Sequence, residues 1–157
     1  MTVSDTASPV LFDLRDSGVA VVTFNRPERM NAWGGGLPGA FYRCIDRAEA
    51  DPDVRVIVVT GNGRAFCAGA DMGDLDTICE ASESAGDADV TQLVGERHPY
   101  FVTELRKPVI AAINGACAGM GLTQALMCDI RFAAAGAKFT TAFARRGLIA
   151  EYGISWI

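Results

Sequence analysis

The chain has 157 residues, half of them apolar and 21% charged, with 17 glycines and only 6 prolines. That is the make-up of one globular domain, not of a disordered, collagen-like or disulfide-stapled chain. The formal charge of −5 and the pI near 4.8 argue against nucleic-acid binding through a basic surface. No apolar run reaches the ~20 residues of a membrane span, and the polar start Met1–Ser8 lacks the charged and apolar regions of a secretory signal. A cytoplasmic protein without a membrane partner is expected.

Taken in chain order, residues 1–8 read as a flexible N-terminal segment and residues 9–157 as one core domain. Val10 to Arg15 and Val19 to Phe24 read as strands joined by the turn Asp16-Ser17-Gly18, a hairpin. Asn25-Arg26-Pro27 ends the second strand, because the residue before proline leaves the helical region. After Gly34-Gly35-Gly36, the apolar residues Leu37, Phe41, Cys44, Ile45 and Ala48 recur at helical spacing, with Pro38 in the first turn and Asp51-Pro52 as the stop. Val54 to Thr60 is a β-branched run of buried-strand type. A glycine turn and loop follow, with Asp71 as a candidate helix cap. Val90 to Arg106 predicts a helix, Val109 to Ile113 a buried strand, Gly119 to Cys128 a loop entering a buried helix, and Ile130 to Ala135 a strand. Arg145 to Ile157 reads as a loop with turn glycines at Gly147 and Gly153. The alternation of strands and helices predicts an α/β layered domain, and no sequence repeat is visible.

Five cysteines without a C-x-x-C pair predict reduced, mostly buried thiols and no zinc site. With His98 as the single histidine, no metal site and no histidine-based triad are expected; its place before Pro99 suits a surface or helix-start residue. Asp71 to Asp89 holds seven acidic residues and no basic one, the pattern of a solvated segment. Arg26, Arg29 and Arg64 flank glycine-rich turns, where a local anion site is conceivable.

Two segments repeat one design of buried strand, glycine turn and short helix. One runs from Val54 through Gly61 to Asp71, the other from Val109 through Asn114 to Gly121. Glycine lets backbone approach a ligand closely, and N–H groups ahead of a helix attract negative charge. Two such turns facing one point would place two N–H donors on one oxygen, as an oxyanion hole does. The same glycines also suit tight strand–helix packing. A dinucleotide fingerprint fits poorly, because Gln124 stands where the third glycine of Gly119-Met120-Gly121 would be needed.

The stretches Asn25-Arg26-Pro27-Glu28-Arg29-Met30-Asn31-Ala32, Phe66-Cys67-Ala68-Gly69-Ala70-Asp71, Lys107 to Gly115 and Met127-Cys128-Asp129 together resemble the crotonase superfamily of enoyl-CoA hydratases and isomerases. Their order and spacing match over almost the whole chain. The resemblance implies an α/β crotonase-like fold of repeated ββα units, with the C-terminal helical region absent from this chain. It implies acyl-CoA thioester substrates, with coenzyme A as part of the substrate and no separate cofactor. The two oxyanion donors map to the backbone N–H groups of Ala70 and Met120. Arg26, Met30, Asn31, Ala32, Ala68, Gly69 and Asp71 would hold CoA, the arginines meeting its phosphates.

The two glutamates that hydratases use map to Thr123 and Phe143, which cannot act as carboxylates. The run Gly147-Leu148-Ile149-Ala150-Glu151 instead places Glu151 where isomerase-like relatives carry their single acid. Thr123, Phe143 and Leu148 would line the acyl pocket. The expected function is an enoyl-CoA hydratase/isomerase-family enzyme in which Glu151 shuttles a proton beside a stabilised thioester enolate. A hydratase in which Glu151 activates water, and a non-catalytic acyl-CoA-binding fragment, are the alternatives. Full-length relatives suggest a homotrimer or a dimer of trimers.

Overall fold

The computed structural model describes residues 7–73, 97–147, 149–150 and 152–157. Two sheets organise these residues. The larger runs in the order β1-β2-β3-β5-β7, with β1 Val10–Leu14, β2 Val19–Phe24, β3 Val56–Gly61, β5 Val109–Ile113 and β7 Ile130–Ala133. The smaller is β4 Ala65–Cys67, β6 Ala116–Ala118 and β8 Phe139–Thr140. Strands β1 and β2 form the expected antiparallel hairpin, with Val10 opposite Phe24 and Leu14 opposite Ala20. All later pairings are parallel.

Helices α1 Leu37–Ala50, α2 Met120–Met127 and α3 Phe143–Arg146, and 3-10 turns at Pro27–Arg29 and Pro99–Glu104, accompany the sheets. The chain therefore coils. Strand β3 of the larger sheet is followed by β4 of the smaller, β5 and β6 lead into α2, and β7 and β8 lead into α3. This is the repeated ββα unit of the crotonase-like expectation, and each turn of the coil adds one strand to each sheet.

The core lies between α1 and the larger sheet. Ala20, Val22 and Phe24 of β2 and Ile57 and Val59 of β3 are buried on one face. The intervening residues are half-buried, so β3 alternates rather than being sealed on both faces as its β-branched run suggested. Helix α1 contributes Leu37, Ala40, Phe41, Tyr42, Ile45 and Ala48. Phe24 sits at the centre, its ring 5.3 Å from Phe66, 5.4 Å from Phe41 and 6.0 Å from Trp33. Full burial of such a ring stabilises by about 1.5–3 kcal/mol.

Other sequence expectations change as well, including the start of the loop expected over 145–157, where α3 runs to Arg146. The stretch after the first glycine turn, expected to be a loop, contains β4, and the second glycine turn, Asn114 to Gly121, contains β6. These three-residue strands are too short to show a period, and they pair with each other across about fifty residues of chain. The described part of the helix expected over 90–106 is the 3-10 turn Pro99–Glu104; residues 90–96 lie outside the described residues. His98 precedes Pro99 and is extended, at φ −78° and ψ 146°, so it starts this turn instead of continuing a helix. Strand β7 ends at Ala133 and is exposed at all four positions.

Most of the expected flexible segment 1–8 also falls outside the described residues. Ser8 does not: its carbonyl accepts a hydrogen bond from Asn25 Nδ2 at 3.0 Å. Cys67, Cys117 and Cys128 are buried and Cys44 half-buried, all as free thiols; Cys79 and most of the acidic segment are outside the description. Among the described residues no helix is long and apolar enough to cross a membrane, and no cluster of three metal-ligating side chains occurs.

Candidate active site

The segment leaving β4 is held by the segment leaving β2. Ala68 N–H donates to Met30 O at 3.1 Å, Trp33 N–H to Gly69 O at 2.7 Å, and Asp71 N–H to Trp33 O at 3.0 Å. These bonds make Trp33 and Ala70 an isolated parallel bridge. In a parallel bridge the neighbours of one residue bond to the other residue. Gly69 and Asp71 therefore satisfy Trp33, and the N–H of Ala70 points away from it.

Helix α2 begins in the second turn. Gly119 is its N-cap, at φ 46° and ψ −119°, a conformation that side-chain-bearing residues avoid. Gly119 N–H donates to Thr140 O at 3.0 Å, and Thr123 N–H closes the first helical bond onto Gly119 O at 2.9 Å. Met120, as first residue of the helix, has an N–H without an intrahelical acceptor, at the positive end of the helix dipole.

The two turns touch. A Cβ added to Gly119 would lie 3.7 Å from Gly69 Cα, and one added to Gly69 would lie 3.4 Å from Ala118 O. A Cβ on Gly121 would come 2.2 Å from Cys67 O, so the first turn of α2 rests directly on the end of β4. Ala70 and Met120 thus each follow one member of a contacting glycine pair.

Around this junction the Asn25–Ala32 motif forms a polar knot. Asp71, 3% exposed, takes Arg26 Nη2 at 2.9 Å and Arg29 Nη2 at 2.8 Å on its two oxygens. These arginines hold its carboxyl below the usual aspartate range, Arg29 contributing most. Asp71 also accepts Gly73 N–H at 3.1 Å, which keeps part of its expected capping role. Arg26 Nη1 donates to Ala32 O at 3.0 Å and Gly34 O at 2.8 Å. The Arg26 guanidinium is therefore spent inside the protein, tying the motif together, whereas Arg29 keeps 54% of its side chain exposed.

Asn31 is fully buried. Its Nδ2 donates to Asn62 O at 3.0 Å and Ala65 O at 2.8 Å, while its Oδ1 accepts Arg26 N–H at 2.8 Å. Met30 and Asn31 both have positive φ, 51° and 55°. Met30, Asn31, Ala32, Ala68, Gly69, Ala70 and Asp71 are accordingly brought into one knot beside Met120. Arg64 is exposed on the turn before β4.

Of the expected acyl-pocket residues, Thr123 is buried with its hydroxyl turned onto Gly119 O at 3.2 Å. Phe143, half-buried, opens α3 two residues after Thr141, whose carbonyl lies 3.9 Å from a Cβ built on Gly119. Leu148 and Glu151 lie outside the described residues. Trp33 was not anticipated as a site residue. Only its place after the Met30-Asn31-Ala32 motif hints at the bridge it makes to Ala70.

A family model described as enoyl-CoA hydratase/isomerase matches residues 15–157. The chain belongs to the enoyl-CoA hydratase/isomerase family. Within that family it is 38% identical over 146 residues to a 1,2-epoxyphenylacetyl-CoA isomerase of Escherichia coli, covering 90% of this chain and 54% of that protein. It is 39% identical over 150 residues to a probable enoyl-CoA hydratase of Mycobacterium tuberculosis, covering 95% and 56%. The crystal structure of an enoyl-CoA hydratase from Mycobacterium marinum is 59% identical, with a TM-score of 0.74 over 95% of this chain and 62% of that one. The chain spans about half the length of the curated relatives it matches. It carries the crotonase fold of these hydratase/isomerase structures.

Proposed function

We propose that this protein processes acyl-CoA thioesters by stabilising a thioester enolate between the backbone N–H groups of Ala70 and Met120. The supporting observation is the contact between the Gly69 and Gly119 turns. It brings together two elements that each present an N–H left unused by its own strand or helix. Donors fixed before the reaction begins stabilise developing charge without reorganisation, and removing one such donor typically costs about 10²–10³ in rate.

Glu151 is assigned as the acid/base. It would take a proton from the carbon next to the thioester and return it further along the chain, as in an isomerase. Thr123 and Phe143 offer no carboxylate for a two-glutamate hydration. Hydration with Glu151 activating water is the second reading, favoured by the hydratase names of several relatives. Met30, Ala32, Ala68 and Gly69 would border CoA through their backbone. Arg29, the more exposed of the two arginines on Asp71, would meet a phosphate, and Arg26, Asn31 and Asp71 would shape that border from inside. Assembly of the whole protein as a homotrimer or a dimer of trimers, in the cytoplasm, belongs to the same proposal.

Replacing Glu151→Gln tests the assignment. Isomerisation of a 3-enoyl-CoA should be abolished while CoA binding persists; retained turnover would overturn the role of Glu151. Comparing turnover of 2-enoyl-CoA in water with that of 3-enoyl-CoA separates the two readings.

A further inference from the structure

The strands that lead to Ala70 and Met120 do not run in simple step. Strands β4 and β6 pair Ala65 with Ala116 but Cys67 with Cys117, so two steps along β4 face one along β6. Phe66 is the extra residue, a bulge whose buried ring lies 5.3 Å from that of Phe24. Carried forward from Cys67 and Cys117, the register sets Gly69 beside Gly119, which is the contact the two turns make. The next step sets Ala70 beside Met120. On the register of Ala65 and Ala116, Ala70 would instead fall opposite Gly121. The bulge therefore decides which two N–H groups stand side by side.

A shifted register persists only if the strand is fixed ahead of the shift, and Asn114 does this. It stands in the corner between β5 and β6 and reaches the corner between β3 and β4. Its Oδ1 accepts Gly61 N–H at 3.1 Å, and its Nδ2 donates to Gly63 O at 2.9 Å and Ala65 O at 3.3 Å. One side chain of the second corner thus holds the first at three backbone points, the last of them just ahead of the bulge. The two corners also touch through their backbones. Ala116 N–H donates to Arg64 O at 3.4 Å, and a Cβ added to Gly115 would lie 2.1 Å from the same oxygen. Asn31 Nδ2 donates to Ala65 O as well, at 2.8 Å, from the segment in which Trp33 bridges Ala70.

Resting on the function proposed above, we infer that Asn114 is a positioning residue for the two candidate oxyanion donors. By locking the two corners together ahead of the Phe66 bulge, it keeps Ala70 in step with Met120, so that both N–H groups reach one oxygen. It acts through the strand, since Ala70 lies five residues beyond Ala65. A misplacement of about 1 Å costs roughly 10²-fold in rate even when the altered residue is remote from the chemistry. Asn114 is itself exposed, so replacing it leaves the core packing in place.

The test is Asn114→Ala and Asn114→Asp in the whole protein. Aspartate keeps the size of the side chain and an acceptor for Gly61 N–H, and loses the donor to Gly63 O and Ala65 O. With a 3-enoyl-CoA as substrate, kcat should fall about 10- to 100-fold in both variants, with KM changed by less than about 2-fold. The isotope-edited infrared spectrum of bound butanoyl-CoA, labelled at its thioester carbonyl, supplies a readout that lost stability does not move. Two well-aimed donors lower the carbonyl stretching frequency below its value in water, and both variants should return it toward that value. Val10→Ala, a cavity in the edge strand β1, should lower the denaturation midpoint and leave the frequency alone. Unchanged kcat and frequency in the Asn114 variants, or a fall in kcat and midpoint at constant frequency, overturns the proposal alone. No binding of butanoyl-CoA, or binding without a lowered frequency, in the unaltered protein overturns the reading of Ala70 and Met120 as well, so the two failures are distinguishable.

Discussion

Gly69 and Gly119 lie against each other across two different strand–helix turns, with 3.7 Å between Gly69 Cα and the place where a Gly119 Cβ would be. The contact itself leaves room for a methyl group; the backbone at Gly119, at φ 46° and ψ −119°, does not welcome one. Gly119→Ala should therefore cost about 1–3 kcal/mol of stability through backbone strain and turn Met120 N–H away from its aim. Under the proposed mechanism kcat should fall by about 10²-fold or more. Steady-state kinetics with thermal denaturation checks both, the sign of the turn's role being a fall in kcat larger than any change in KM.

Gly121→Ala has a different outcome. The added Cβ would meet Cys67 O at 2.2 Å and Cys67 Cβ at 2.6 Å. The first clash is with backbone, which cannot swing away, so α2 must lift from β4. A loss of about 3 kcal/mol is expected, read as a lower urea midpoint. Activity should fail together with folding, unlike in Gly119→Ala.

Asp71→Asn removes the charge that gathers Arg26 and Arg29. The Arg26 partner is mostly buried and Arg29 half exposed, so the loss should be about 2–3 kcal/mol, below that of a fully buried pair. The native protein carries the matching pH dependence. Because the folded carboxyl titrates below its unfolded value, its contribution is complete above an ordinary aspartate pKa of ~3.9. It is lost as pH falls from there through the folded value. Denaturation midpoints measured between neutral pH and pH 3 should decline at the acid end, and less steeply in Asp71→Asn.

Burial pushes the thiols of Cys67, Cys117 and Cys128 up to about 12. Since the thiolate is the reactive form, these three should resist a disulfide reagent in the native protein and react at once in guanidinium. Cys44 is only half-buried, though its thiol is also raised, and should be labelled before them. Mass spectrometry of partially labelled protein gives the order; early labelling of Cys117 would mean that β6 opens locally.

Much of the fold was legible because its signals are local. Strand β2 over Val19–Phe24 and strand β5 over Val109–Ile113 fall where the β-branched runs place them, and α1 follows its apolar period. Strands β4, β6 and β8 carry no local signal, since two or three residues hold no period and their pairing is wholly long-range. The site is legible in an unusual way: Gly69 and Gly119 mark where the turns are, yet the groups they expose are main-chain. Asn31 illustrates the opposite. Its motif position suggested CoA, whereas its side chain is consumed by Asn62 O, Ala65 O and Arg26 N–H, partners that only the folded backbone brings within reach. Glu151, assigned from the pattern of its neighbours, lies outside the described residues.

The coiling of the chain bears on one dimension of the proposed site. Strands β4 and β6 are adjacent in a parallel sheet, and adjacent strands run about 4.8 Å apart. Two N–H groups that each reach one oxygen at ~2.9 Å can stand no more than about 5.8 Å apart. One strand-to-strand step therefore matches the separation that a shared oxygen requires. Under the proposed function, the pitch of the coil would set the approximate spacing of the two donors, and the side chain at Met120 would be free to vary so long as it is not proline.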